Sequence, residues 1–264
     1  MVISVTGETV AHLFTGWEET LIYAALEGIM GSCHALTWEN PKSALIVQGD
    51  FFFFAGDPEP ALLDHLPEGW KGTCRLLTPR TEEWSAAIEA RYGAAAARET
   101  RYAIKKEPDI FDAEKLRQAV SGAPATIRPI DEALYHKCLE APWSRDLVNR
   151  YETWEVYHRL ALGFVAVSEG EILSGASCYS TYSRGIEIEI DTHPDHRRKG
   201  LAYGCGAALI LECLSRGLYP SWDAANLASV ALAEKLGYHF SHEYPVYYFS
   251  ECALPPLPEA SDRK

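Results

Sequence analysis

Residues 186–214 read IEIEIDTHPDHRRKGLAYGCGAALILECL, and few local arrangements satisfy such a stretch. Ile186, Ile188 and Ile190 alternate with Glu187, Glu189 and Asp191, the two-residue period of a strand with two unlike faces. His193-Pro194-Asp195 ends that strand, because proline has no N–H to give to a ladder. From Leu201 to Leu214 only Tyr203 and Glu212 are clearly polar, which predicts a helix buried on most of its sides. The chain is therefore built around a strand, a tight turn and a buried helix.

The turn has a physical use. The first N–H groups of a helix have no partner within it, and the helix dipole makes that end positive. A phosphate can accept those hydrogen bonds. Gly200 and Ala202 keep the backbone open to a bulky diphosphate, and Arg197, Arg198 and Lys199 add positive charge. The whole chain carries a net charge of −13, so attraction for an anion must come from this cluster and not from the overall field. The competing reading is an exposed basic turn that caps an ordinary helix.

A length of 264 residues suits one large domain or two small ones. The acidic balance argues against non-specific nucleic-acid binding and is compatible with a small cationic substrate such as an amine. No run of about 20 apolar residues is present, so no spanning helix is predicted. The opening MVISVTGETVAHLF lacks the basic and apolar regions of a secretory signal, so a cytoplasmic protein is expected. Seven cysteines (Cys33, Cys74, Cys138, Cys178, Cys205, Cys213 and Cys252) form no CxxC pair and read as reduced, mostly buried thiols; no metal site is expected.

Apolar spacing predicts a helical stretch over residues 9–35, with Gly31 and Ser32 ending the run, a hairpin over 44–54 that turns at Gly49-Asp50, and a short helix over 58–66. A strand over 73–77, a helix over 82–92, a strand over 100–105 and a helix over 109–119 follow. This predicts an N-terminal α/β domain over 1–120, with Ser121-Gly122-Ala123-Pro124 as linker. Beyond it come a strand over 126–130, a helix capped by Asp131, and a second helix over 146–160. Strands over 163–168 and 172–179 lead to the central block. A strand over 219–223, a helix over 229–236 stopped by Gly237, and two strands over 238–244 and 246–249 close the domain. A domain over 125–252 and a flexible tail over 253–264 complete the expected α/β architecture.

The spacing Arg-x-x-Gly-x-Ala over 197–202 resembles the pyrophosphate loop of the GNAT superfamily of N-acetyltransferases, written Gln/Arg-x-x-Gly-x-Gly/Ala. A second block, DAANLASVALAEKLGY over 223–238, is similar to that family's pattern of Asn, a small residue, and a helix ending in Glu-Lys-x-Gly-Phe/Tyr. The order of elements over 125–250 is the order that fold requires. The wording THPDHRRKGLA with SWDAANLASVALAEKLGY is similar to a subgroup of antibiotic-resistance acetyltransferases, such as the zwittermicin A enzyme, in which an extra N-terminal domain precedes the transferase domain. The N-terminal portion could also be a decayed copy of the same fold.

The resemblance implies an acetyl-CoA-dependent N-acetyltransferase for a small amine, with neither nucleic acid nor membrane as partner; a homodimer is compatible with it. It implies that Ile190 and Thr192 pair through their backbones with the pantetheine arm. Arg197, Arg198, Lys199, Gly200, Leu201 and Ala202 would take the diphosphate, and Asn226, helped by Ser229, the opposite strand end. Asn226 is equally read as a helix cap. Glu187, Glu189 and Asp191 share one strand face, and a carboxylate among apolar neighbours has the raised pKa that suits proton abstraction. Glu189 is preferred for its central place; the alternative is a solvated acidic face. The family's usual Tyr acid falls at Ala233, so the acid is unassigned among Tyr203, Tyr238, Tyr247, Tyr248 and solvent. That gap leaves room for a non-catalytic acyl-CoA-binding sensor or scaffold, and a protein or lysine acetyltransferase would differ only in its acceptor.

Overall fold

A computed structural model describes residues 1–250. In chain order the elements are β1 (Ile3–Val5), α1 (Gly7–Phe14), α2 (Thr20–Leu26), β2 (Ser32–Ala35), β3 (Ser43–Gln48), β4 (Phe51–Gly56), α3 (Pro60–Leu63), β5 (Cys74–Pro79) and α4 (Glu82–Tyr92). There follow β6 (Ala96–Ile104), α5 (Ala113–Ser121), β7 (Thr126–Pro129), α6 (Glu132–Glu140), α7 (Trp154–Leu160), β8 (Phe164–Ser168), β9 (Glu171–Tyr182) and β10 (Gly185–Thr192). Then come α8 (Leu201–Ser215), β11 (Tyr219–Ser221), β12 (Asp223–Ala224), α9 (Leu227–Leu236) and β13 (Phe240–Ser250). The expected tail over 253–264 and Cys252 lie outside the described residues.

Local chemistry sets most helix starts. Thr81, Asp112, Asp131, Thr153 and Asn226 each accept, through a side-chain oxygen, an amide two or three residues ahead. Each such cap stabilises its helix by about 1 kcal/mol. Five predicted elements differ. The helix expected over 9–35 is α1 and α2, broken where Gly16 takes φ 77°, and its last four residues are β2. Apolar spacing carried that reading through Gly16 and Gly28 to a stop at Gly31, whereas all three glycines adopt positive φ and interrupt the chain. The helix expected over 146–160 is helical only as α7, with a 3-10 turn at Arg145–Leu147. The strand expected over 219–223 divides at Trp222 into β11 and β12, and the two closing strands are one, β13, which runs through Pro245.

The chain divides into two compact units, one of residues 1–17, 31–100 and the chain from Pro245, the other of residues 18–30 and 101–244. The break expected at 121–124 lies inside the second unit, in the turn between α5 and β7. α5 belongs there because it packs closely on α8: a Cβ built at Gly204 would stand 3.6 Å from the Ala119 C=O of α5 and 2.9 Å from the Ala123 Cβ in the turn that follows.

In the first unit the strands run in the order β1-β2-β3-β4-β5-β13. The first three pairings are antiparallel, β4 and β5 are parallel, and Tyr247 of β13 lies antiparallel opposite Leu77. The four consecutive phenylalanines, Phe51 to Phe54, are buried on both sheet faces as predicted. Phe52 and Phe54 join Trp84, Tyr247 and Phe249 in this unit's core.

In the second unit β7, β8, β9, β10 and β11 lie side by side in chain order, with three antiparallel pairings followed by one parallel pairing. That succession is the same as β1 to β5. The helix between the two parallel strands differs: α8 has 15 residues, α3 has 4. The isoleucines of β10 face α8, where Ile186 and Ile188 are buried and Ile190 lies near Gly206. The carboxylates of β10 occupy the opposite face.

Candidate functional site

The site begins where two parallel strands part. β11 pairs with β10 only at Gly185, Ile186 and Glu187, opposite Tyr219, Pro220 and Ser221. Past Trp222 the chain turns away, and Asp223 and Ala224 pair instead with Ala103 and Tyr102 of β6. Residues 188–192 of β10 keep β9 on one side only, so their other edge presents unpaired backbone groups to any extended ligand. The β9–β10 register also shifts between Glu187 and Ile188, as a bulge does. The opening and the bulge therefore coincide at Glu187.

The turn after β10 opens the mouth of α8. Arg198 and Gly200 take left-handed backbone (φ 60° and 84°), the type of geometry that forms anion-binding concavities. Gly200 is the residue before α8, has no side chain to cap it, and a Cβ built there meets nothing within 4 Å. Gly204 N–H is the amide that bonds back to Gly200 C=O, so the amides of residues 201–203 precede the first helical bond. Arg197 Nε donates to Thr192 C=O at 3.3 Å and Lys199 Nζ to Asp195 C=O at 2.9 Å, which folds both side chains onto the turn. Open amides, open space and three cations fit a diphosphate.

The three carboxylates have different surroundings. Glu187 is buried; Thr20 donates its hydroxyl to Oε2, while Oε1 has no hydrogen-bond partner. Burial raises its pKa, and Lys106 opposes the shift. Although part of Glu189 reaches solvent, burial, aided by the charges of Asp146 and Asp191, pushes its carboxyl up to about 8. Asp191 is raised by burial less completely, because Oδ1 accepts the Thr192 N–H at 2.8 Å. Glu189 thus combines access with a pKa close to neutrality.

Asn226 caps α9: its Oδ1 accepts the Ser229 N–H at 3.0 Å, and Ser229 Oγ accepts from Trp222 Nε1 at 3.0 Å. The cap uses the Asn226 oxygen and leaves its amide nitrogen for other work. Ala233 is fully buried in α9. Of the tyrosine candidates, Tyr238 is a core residue that donates to Pro220 C=O at 2.6 Å, and Tyr203 packs under Lys235 Nζ, 4.1 Å from the ring centre. Tyr247 and Tyr248 belong to the first unit.

Five residues of this site lay outside the sequence reading. Glu19 ends the loop before α2, is buried, and accepts the Leu21 N–H. Arg101 pairs with Asp223 at 2.6 Å, and Tyr244 donates to the other oxygen of Asp223 at 2.8 Å. Lys106 lies within electrostatic reach of Glu19, Glu187 and Asp223. Burial alone would lower the Lys106 pKa; those carboxylates hold it above its ordinary value. Asp223 follows Ser221-Trp222 at the parting of the strands, the one available signal; the others stand in stretches with no motif.

His193 and His196, read as turn histidines, line a cavity of about 310 Å³ with Trp143, Lys137 and Glu140. Among the described residues no group of three or more His, Cys, Asp or Glu is placed to hold a metal ion, and no helix is long and apolar enough to cross a membrane. Among the described residues six cysteines are thiols outside any disulfide, five of them buried.

A mixed sheet whose two parallel strands separate beside a glycine-opened helix mouth defines an N-acyltransferase fold. Comparison with known proteins agrees: the sequence profile of the GNAT acetyltransferase family matches residues 11–247. The chain is 26% identical over 242 residues to the uncharacterized N-acetyltransferase YdfB of Bacillus subtilis (strain 168), spanning 87% of this chain and 90% of that one. It superposes with TM-score 0.85 and 45% identity on the crystal structure of a GCN5-related N-acetyltransferase-like protein from Streptococcus suis 89/1591, covering 91% and 97% of the two chains. A tandem GNAT protein from the clavulanic acid biosynthesis pathway shares the fold at TM-score 0.54 and 15% identity, over 95% and 98% of the chains. The chain belongs to the GNAT acetyltransferase family, and its enzymatic class is N-acetyltransferase.

Proposed function

We propose that the protein moves the acetyl group of acetyl-CoA to a primary amine of a small molecule, an antibiotic or another amino compound, by direct transfer in a ternary complex. One observation carries this reading: β10 and β11 part beside the open mouth at Gly200, and a row of carboxylates stands on the same β10. Backbone groups of Ile190 and Thr192 pair with the pantetheine arm. The backbone from Arg197 to Ala202 takes the diphosphate, with Arg198 and Lys199 as counter-charges, and Asn226, steadied by Ser229, meets the arm at the other strand. Glu189 takes the proton of the acceptor ammonium, so that the neutral amine attacks; Glu187 and Asp191 share the work of attracting the cation. As the C–N bond forms and the C–S bond breaks, the leaving thiolate is protonated by solvent or by a residue other than Ala233.

The enzyme works in the cytoplasm and belongs with the antibiotic-resistance subgroup resembled by its motifs. Its first unit is a decayed copy of the second. The repeated strand succession supports this, as does the fold shared with a tandem GNAT protein, and the four-residue α3 would have lost the helix mouth.

The test is thiol release from acetyl-CoA across a panel of amines, comparing Glu187→Gln, Glu189→Gln and Asp191→Asn. If no substitution slows a detected reaction, the base assignment falls. The buried Ala233, which offers no acid, favours a second reading, a non-catalytic acyl-CoA sensor. Saturable CoA binding without turnover on any amine would select it.

A further inference from the structure

Around Glu187 the second unit gathers three carboxylates and two cations. The carboxylates are Glu19, Glu187 and Asp223; the cations are Lys106 and Arg101. Glu189 adds two further carboxylates, Asp146 and Asp191, and one further cation, Arg150, so the wider face is also short of positive charge. Four phenols, Tyr23, Tyr182, Tyr219 and Tyr244, also face these groups, and burial raises the pKa of each, so all four stay neutral. The cluster is one positive charge short. An uncompensated buried charge is costly, so something must supply that charge: a proton or a bound cation.

Two buried oxygens mark where it goes. Glu187 Oε1 is buried without a hydrogen-bond partner in a residue only 4% exposed. Ser221 Oγ, on the residue opposite Glu187 in the parallel pairing, is buried and has the Glu187 carboxyl as its neighbour, with no bond of full hydrogen-bond geometry. Both stand at the last rung before β10 and β11 separate. A primary ammonium carries three N–H donors on one centre, which matches a carboxylate oxygen, a hydroxyl oxygen and a second carboxylate.

We infer that this cluster is the seat of the acceptor's primary ammonium group, held between Glu187 Oε1, Ser221 Oγ and Glu19, with Glu19 as a specificity-determining residue contributed by the 18–30 segment. This rests on the acetyltransferase reading and narrows its substrate to a compact primary ammonium. Without the amine a proton neutralises the cluster, in keeping with the raised carboxyls of Glu19 and Glu187, which burial produces. Docking of the ammonium therefore expels about one proton near pH 7.

Calorimetry with methylammonium and n-butylammonium chlorides, in buffers of different ionisation enthalpy, tests this on the full chain. Tetramethylammonium, a cation with no N–H, is the control. Saturable heat from the primary ammonium ions, release of about one proton, and no heat from the control are expected. Glu19→Gln should weaken that binding at least about tenfold and abolish the proton release, with acetyl-CoA affinity unchanged. Lys106→Gln deepens the deficit and should strengthen primary-ammonium binding, a change of sign that a merely structural role would not give. Equal binding of tetramethylammonium, or unaltered amine binding in Glu19→Gln, overturns the inference while leaving the acetyltransferase reading intact; absence of acetyl-CoA binding overturns the latter instead.

Discussion

The Thr20 hydroxyl donates to Glu187 Oε2 across 167 positions of sequence, tying the first turn of α2 to the base of the parting strands. Both residues are buried. Thr20→Val keeps the shape and removes the donor to Oε2, which leaves the buried carboxyl of Glu187 with Ser221 alone beside it. Hydrogen bonds to charged groups contribute about 1.5–3 kcal/mol, so a loss of that order in urea-unfolding free energy is expected. An unchanged unfolding midpoint would mean the bond contributes nothing.

Gly200 holds left-handed backbone beside open space. A Cβ added there meets nothing within 4 Å, and the left-handed strain of Gly200→Val costs about 1–2 kcal/mol. Its methyl groups would, however, occupy the approach to the amides of α8. CoA affinity measured by calorimetry should fall at least about tenfold with the fold retained. Undiminished affinity would place the diphosphate elsewhere.

Asn226 separates two roles by substitution. Asn226→Ala removes the cap and should cost about 1 kcal/mol of stability. Asn226→Asp keeps an oxygen for the Ser229 N–H but has no amide to donate. If the amide serves the ligand, the Asp variant retains its melting temperature and loses CoA affinity; a variant that binds normally would leave Asn226 a cap alone.

Glu189 gives a pH signature. Its carboxyl rises from an ordinary 4.5 to about 8, chiefly through burial. The folded state therefore holds a proton that the unfolded chain has released, and its stabilising effect is complete below pH 4.5 and lost as pH rises through about 8. As a base it acts deprotonated, so turnover should climb with pH toward about 8. Glu189→Gln should flatten both curves and lower turnover by at least about 100-fold. A rate profile that keeps its shape in this variant assigns the proton to another group.

In the first unit, His34 is buried, with its Nδ1 3.0 Å from His65 Nε2. Burial, with His65 adding, lowers its pKa from 6.5 to about 4. A depressed histidine gives stability that is present above 6.5 and lost as pH falls through about 4. The urea midpoint should fall across that window, and His34→Gln should reduce the fall. A midpoint equally pH-dependent in the variant would exclude His34 as the cause.

The helix α4, expected over 82–92, has those bounds in the structure, and Asp131 caps α6 as predicted. Both follow from rules that act within one turn of chain. Trp222 shows the opposite case. Residues 219–223 have the composition of one strand, yet β11 pairs with β10 and β12 with β6, so a long-range choice of partners breaks the strand. The same choice opens the edge of β10. Likewise the glycines at 16 and 28 stand just past the ends of α1 and α2, where apolar spacing alone would continue a helix.

Periodicity and turn chemistry wrote the strand, the glycine mouth and the buried helix of residues 186–215 into the sequence, because each depends on neighbours a few residues away. The meeting of Glu19, Lys106, Arg101, Asp223 and Tyr244 around Glu187 belongs to the tertiary structure alone. No local pattern encodes it: side chains from α2's start, β6, β12 and β13 converge only once the strands have chosen their partners, and burial then gives these ordinary charged residues the energies that make a site.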